Sequence, residues 1–215
     1  MESFIQQNTH ISHTEFNEIA NKLMNQTKLI SGQNSYRICE IEFYLNSATH
    51  KDLYTHDNPD QATYGKWYFH KTSKGNYRGG TFKGLDLTLG NNDKYCGILI
   101  RSIYNLETKK MIGGPCNSVN ELIAQHGASN VKEFMAKDNK QSPLSAIENE
   151  YIKIQDCDFE KGEGGKEETK EALYYGPRYG LSDKYPEWEK VKYRYVTKLK
   201  LVKKQKRSLV PIGSN

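Results

Sequence analysis

The feature that most restricts how this chain can fold is residues 36–45, which read Y-R-I-C-E-I-E-F-Y-L. As a β-strand this stretch alternates: Cys39, Ile41, Phe43 and Leu45 fall on one face, and Ile38, Glu40, Glu42 and Tyr44 on the other. The first face is a core face. The second carries two carboxylates and a tyrosine, which makes it either the solvated side of an antiparallel sheet or a site. A carboxylate beside an aromatic ring can activate a water while the ring holds a flat substrate, the equipment needed to hydrolyse a bond to a nucleobase.

The rest of the chain supplies partners for such a strand. Ser12-His13-Thr14-Glu15 has the form of a capping box, and Phe16, Ile19, Ala20, Leu23 and Met24 recur at helical spacing, so a helix is expected to about Lys28. Residues 46–65 are polar and turn-rich, with His50, His56 and Asn58-Pro59-Asp60, a loop long enough to carry function. Residues 66–71 form a second aromatic strand, followed by a glycine-rich basic hairpin over 72–80. Residues 82–89 alternate, with Leu85, Leu87 and Leu89 inward and Asp86 on the opposite face. Residues 97–104 are an apolar run broken only by Arg101 and Ser102; an arginine there needs a carboxylate partner from a neighbouring strand. Helices are expected over 117–125 and 130–137, a strand over 146–159 and a surface loop over 160–169. The fold class is therefore α+β, a single domain with a curved antiparallel sheet flanked by helices. Its divisions are an N-terminal helix (1–35), the main domain (36–200) and a basic C-terminal tail (201–215).

At 215 residues one compact domain with a sizeable core is expected. Its 31 Lys and Arg against 26 Asp and Glu leave +5, modest overall but concentrated over residues 190–207, where lysines and arginines interleave with Tyr193, Tyr195, Leu199, Leu201 and Val202. Such a strip suits a phosphate backbone; the plainer alternative is an edge strand protected by lysines. The cysteines Cys39, Cys96, Cys116 and Cys157 form no close pair, so neither a zinc site nor a disulfide scaffold is expected, and no metal or cofactor is called for. The opening residues lack a secretory pattern and no apolar run reaches membrane-spanning length, which points to an intracellular, cytoplasmic protein without a membrane partner.

Four segments in chain order (E-I-E-F-Y-L, L-D-L-T, I-L-I-R with a following G-G-P and helix, and P-R-Y-G-L) together resemble the alkyladenine (3-methyladenine) DNA glycosylase superfamily. There the corresponding segments read E-T-E-A-Y-L, M-N-I-S, V-L-L-R with G-P-S-K-L, and P-R-I-G-V. The resemblance covers most of residues 36–196. It implies an alkyladenine DNA glycosylase-like fold and a monomer that acts on double-stranded DNA containing a modified base, flips that base out and hydrolyses its glycosidic bond. Carried over, Glu42 is the general base, Arg101 orients it and the water, the Leu181 carbonyl is a further acceptor, and Tyr44 stacks on the base. His56 matches the family's pocket histidine better than His50, and His70 stands where the family has a second stacking tyrosine. Glu40 joins the substrate-binding set. No Schiff-base lysine is matched, so the implied mechanism is hydrolytic, without a lyase step.

The departures bear on substrate. The family's wedging tyrosine has no clear counterpart; Tyr77 and Arg78 in the extended hairpin are the candidates. The family asparagine of M-N-I-S is Asp86, an acceptor only, which would welcome an amino donor such as the cytosine N4 group or sugar hydroxyls. Bacterial defence members of the superfamily remove α-glucosylated hydroxymethylcytosine from phage DNA, and that base is the expected substrate. The alternatives are an alkylated purine and a DNA-binding module without catalysis. The expected DNA contacts are Lys74, Tyr77, Arg78, Lys83, Arg178, Lys198 and Lys200, with Lys71 also in the basic hairpin.

Overall fold

The structure, a computed structural model, describes residues 13–137, 144–161, 163 and 168–213. In chain order its helices are α1 (His13–Asn25), α2 (Pro115–Ala124), α3 (Val131–Lys137) and α4 (Pro186–Glu189). The strands are β1 (Thr27–Ser31), β2 (Asn34–Ser47), β3 (Tyr64–Phe69), β4 (Leu85–Leu89), β5 (Lys94–Asn105), β6 (Met111–Gly113), β7 (Leu144–Ser145), β8 (Ile152–Asp156), β9 (Tyr174–Gly176), β10 (Arg194–Val196) and β11 (Val210–Pro211). They join one sheet in the order β11-β9-β10-β2-β5-β4-β3-β7, with β1 on β2, β8 on β1 and β6 on β5. All these pairings are antiparallel, and the architecture is a single-domain α+β fold.

One face of the sheet is the core. Phe16, Ile19 and Leu23 of α1 lie on Ile41, Phe43 and Leu45 of β2, with the Phe16 and Phe43 rings stacked at 4.2 Å. Leu85, Leu87 and Leu89 of β4 and Ile98 and Ile100 of β5 continue the same layer, and Val119, Leu122 and Ile123 of α2 complete it. Full burial of each such side chain stabilises by about 1.5–3 kcal/mol, so this layer sets the sheet's register.

That register corrects the simple alternation at one place. From Ile41 to Leu45 the odd residues join this core layer, as expected, but Ile38 joins it too, while Cys39, also fully buried, lies outside it. The ladder between β2 and β5 shifts between Ile38↔Ile103 and Glu40↔Ser102, and again between Glu40↔Ser102 and Ile41↔Ile100. Cys39 and Arg101 are thus left without a register partner, and both strands exchange faces across the irregularity. The consequence is local: Arg101 and Ser102, adjacent in sequence, both reach Glu40.

Other expectations shift at element ends. α1 stops at Asn25 rather than near Lys28, because Thr27 already starts β1. The proposed cap residue Ser12 lies outside the described residues. The strand expected over 146–159 shortens to β8, with β7 just before that span. Residues 201–213 fold back on the domain: Val202 and Leu209 are buried with Val196, and β11 pairs with β9.

Candidate active site

On the face opposite the core, β2 presents Glu40, Glu42 and Tyr44, and β5 presents Leu99, Arg101 and Ser102. Glu42 is fully buried. Its Oε1 accepts the backbone N–H of Tyr179 at 2.7 Å, and its Oε2 accepts the Tyr44 hydroxyl at 2.8 Å and Arg101 Nη1 at 3.0 Å. Arg101 Nε donates to Glu40 Oε1 at 3.2 Å, and Nη1 also reaches the Tyr179 carbonyl at 3.3 Å. Glu40 is held further by Arg194 Nε at 2.8 Å and by the Ser102 hydroxyl at 2.6 Å. Two carboxylates and two guanidiniums therefore balance in a buried cluster. Burial opposes the Arg101 charge, but Glu42 and Glu40 outweigh it and hold the pKa above its ordinary value. Burial, then the Glu42 charge, pushes the Tyr44 hydroxyl well up, so it stays a donor.

The turn over residues 177–181 is fixed by Arg178. Its Nη1 and Nη2 grip the Asp52 carboxylate in a fork (2.5 and 3.0 Å), and Nη1 also donates to the Phe43 carbonyl at 3.1 Å. The same guanidinium lies 4.6 Å from the centre of the Tyr44 ring. Arg178 is therefore a buried clamp between the long polar loop, β2 and the late turn, rather than a side chain turned toward solvent.

Beside this cluster opens a cavity of about 230 Å³. Tyr44 and Leu99 line it from the sheet, Gly180, Leu181 and Ser182 from the late turn, and Tyr54, His56 and Gln61 from the polar loop. Its polar wall is Asp86 of β4, whose two oxygens take His70 Nε2 at 2.7 Å and Gln61 Nε2 at 3.1 Å. Two glycines make room for that wall. A Cβ on Gly97 would stand 2.4 Å from Asp86 Oδ2, and one on Gly84 2.4 Å from the His70 ring.

His56 is open to solvent on one side and packs at 4.4 Å against His70 on the other. Desolvation, then the neighbouring His70, lowers its pKa to about 4, so the ring is neutral near pH 7. The Tyr68 hydroxyl accepts the Lys71 N–H at 3.3 Å and lies 3.2 Å from His56 Nδ1. The hydroxyl carries one proton and a second lone pair, so it can either donate to Nδ1 or accept from it, according to the His56 tautomer. The cavity thus sets a neutral imidazole at His56 beside the carboxylate of Asp86.

Glu42, Tyr44, His56, His70, Asp86, Arg101 and Leu181 come together in or beside this cavity from six segments of the chain. His50 does not: it packs on Trp188 and lies 3.3 Å from the Tyr193 hydroxyl. Glu40 stands behind Arg101 rather than in the cavity. Three participants had no signal in the residues themselves: the Tyr179 backbone, Gln61, and Tyr54, whose hydroxyl donates to the Ser182 carbonyl.

Among the expected DNA contacts, Lys74 and Lys200 are exposed, and Lys83 Nζ donates to Asn120 Oδ1 at 2.5 Å. Tyr77 is half-buried with Lys71 over its ring, and Arg78 Nε donates to the Lys71 carbonyl at 3.1 Å. Lys198 is engaged with Glu168 and Glu171, and sits over the Tyr104 ring at 4.4 Å. By contrast Phe82, between the hairpin and Lys83, is 71% exposed. No group of three or more His, Cys, Asp or Glu among the described residues is placed to hold a metal ion, and no described helix is long and apolar enough to cross a membrane.

Fold and site together define a single-domain α+β protein with a buried carboxylate–arginine cluster beside a polar cavity. No protein-family model matches the chain. Uncharacterized protein L759 of Acanthamoeba polyphaga mimivirus is 38% identical over 210 residues, covering 90% of this chain and 91% of the viral one, and the chain belongs to the same family as that protein.

Proposed function

We propose that this protein is a monofunctional DNA glycosylase of the alkyladenine DNA glycosylase-like type, acting as a monomer on double-stranded DNA inside cells and leaving an abasic site. The observation that carries the reading is the placement of the Glu42–Arg101 pair beside a cavity walled by Tyr44 and residues 180–182 of the late turn. The extruded base enters the cavity against Tyr44. A water attacks the anomeric carbon, the bond to the base nitrogen breaks with its electrons leaving on the base, and Glu42 takes the proton of the water. The fixed carboxylate also faces the positive charge that develops on the sugar. Glu42 is covered in the free protein, so water reaches it only as the substrate displaces the contacts around it.

The favoured substrate is α-glucosylated 5-hydroxymethylcytosine in phage DNA. Asp86 can accept from a cytosine N4 amino group while neutral His56, with its proton on Nε2, can donate to an adjacent ring acceptor, the pattern of a cytosine edge. Phe82, exposed beside Lys83, is the side chain best placed to fill the gap left in the duplex, in place of Tyr77 and Arg78. A second reading, a DNA-binding module without catalysis, is favoured by the complete enclosure of Glu42.

The test is incubation with glucosylated, alkylated and unmodified duplexes, followed by mild alkali to cut abasic sites. Breaks in glucosylated DNA alone, lost in Glu42→Gln, support the proposal. Breaks only in alkylated DNA transfer the protein to alkylpurine repair. Undiminished DNA affinity with no breaks in any duplex selects the binding module.

A further inference from the structure

Across the Arg101–Tyr179 partition from the base cavity lies a larger groove of about 780 Å³. One wall is the start of α2, where Gly113, Gly114 and Asn117 face the groove. α2 spans 10 residues, and no side chain caps its first turn at Gly114. Its leading amides and its dipole are therefore offered to an anion. The opposite wall carries the exposed Lys203 and Lys204.

A second observation points the same way. The Arg101 side chain is 10% exposed and lines the groove; Nε and Nη1 hold Glu40, Glu42 and the Tyr179 carbonyl, while Nη2 has no hydrogen-bond partner among the described residues. Behind it, fully buried Arg194 joins Glu40 to the Lys204 carbonyl, and its Nη1 is likewise unpartnered among the described residues. Of the two nitrogens only Arg194 Nη1 is buried and carries a desolvation cost; Arg101 Nη2, at the groove, is a donor left available to an anion. Glu40 and Glu42 already balance the two arginines, so Lys203, Lys204 and the helix terminus make the groove net positive. Between these cationic ends the lining is apolar: Met111, Ile112, Leu201 and Val202. An elongated site with a positive end and an apolar flank fits a nucleotide better than a free inorganic ion.

We infer that this groove seats the nucleotide next to the extruded one in the same DNA strand, its two flanking phosphates on Arg101 and the α2 amides and on Lys203 and Lys204, and its sugar and base along the apolar flank. The inference rests on the DNA reading above and adds a role to Arg101, which holds the general base on one side and the strand on the other. A seated strand therefore also sets the Arg101 guanidinium against Glu42.

The test uses the full chain and two DNA probes that need no catalysis: a single-stranded oligonucleotide and a duplex with a non-cleavable abasic analogue. Lys203→Glu/Lys204→Glu is compared with Lys132→Glu/Lys161→Glu, the same charge change on exposed lysines elsewhere. The groove variant is expected to lose about tenfold or more in affinity for either probe and to flatten the single-strand salt dependence by about 1.4 in log–log slope, roughly 0.7 per lost contact. The control should change about twofold or less. Equal losses in the two variants overturn the inference. In amide NMR spectra, dimethyl phosphate should shift Gly114, Cys116 and Asn117 saturably; no shift there also overturns it. Base excision is scored separately. If wild type removes no base yet the groove variant alone loses abasic-DNA affinity, the groove stands and the glycosylase reading falls; if wild type excises and both variants bind alike, the reverse holds.

Discussion

Tyr44 and Glu42, two residues apart on one strand, are joined by a hydrogen bond from the hydroxyl to Oε2 at 2.8 Å. The tyrosine thus steadies the general base of the proposed reaction as well as lining the cavity, with Arg178 behind its ring. These two duties separate by mutation. Tyr44→Phe keeps the ring and removes the bond: a stability loss of about 1 kcal/mol and a fall in excision of about tenfold are expected. Tyr44→Ala removes both and should abolish excision while leaving affinity for undamaged DNA intact. Equal excision by Tyr44→Phe and wild type would count against the role given to the bond.

Arg101 is the centre of the charge cluster, and its loss leaves Glu40 with Arg194 but Glu42 without a cation. Arg101→Met should cost about 3–5 kcal/mol in urea denaturation. The double change Arg101→Met/Glu42→Gln should be less damaging than the sum of its single changes, because the uncompensated carboxylate is gone. Additive losses would mean the pair is not coupled.

Gly97 exists for Asp86. In Gly97→Ala the new methyl meets Asp86 Oδ2 and Gln61 Nε2, so the Asp86–Gln61 bond must open. A destabilisation of about 1–3 kcal/mol is expected, with loss of discrimination among modified bases exceeding the loss of overall DNA affinity. Unaltered base preference would remove Asp86 from the recognition role.

His56 should titrate below an ordinary histidine. Its ring proton signals, followed by NMR, should show a midpoint well under 6.5. The linkage sign follows: the unfolded state takes up a proton near pH 6.5 and the folded state only near 4, so this group's contribution is intact above 6.5 and is lost as pH falls toward 4. The exposed side of the ring keeps that contribution small. A midpoint at or above 6.5 would restore a charged histidine to the cavity.

Phe82 is too exposed to matter to folding, so Phe82→Ala should alter stability by less than about 0.5 kcal/mol. Its effect should fall on duplex DNA, with excision reduced while activity on a base in single-stranded DNA is retained. Equal losses on both substrates would leave the wedge unassigned.

How much of this was legible beforehand depends on range. The core faces of β4 and of β2 beyond Glu40 follow from alternation alone, and the demand that Arg101 meet a carboxylate was met twice over, by Glu40 and Glu42. The exchange of faces at Cys39 and Arg101 was not readable, because a register irregularity depends on both strands and alternation describes only one. Likewise, Arg178 was expected on DNA because its positive charge is visible in the text, while its partner Asp52 lies 126 positions away. Lys198 likewise meets its carboxylates, Glu168 and Glu171, 30 and 27 positions away.

The Arg178–Asp52 fork has a consequence for the order in which the protein is made. A ribosome delivers Glu40, Glu42, Tyr44 and Asp52 early, and Arg101 follows midway, so the central ladder can assemble on the nascent chain. The clamp of the late turn and the second guanidinium on Glu40 arrive only with Arg178 and Arg194. Until then Glu42 lacks its bond from Tyr179 and the cavity lacks the wall formed by residues 180–182. The site is thereby left incomplete in fragments and unfinished chains, and is closed by the last fifth of the polypeptide.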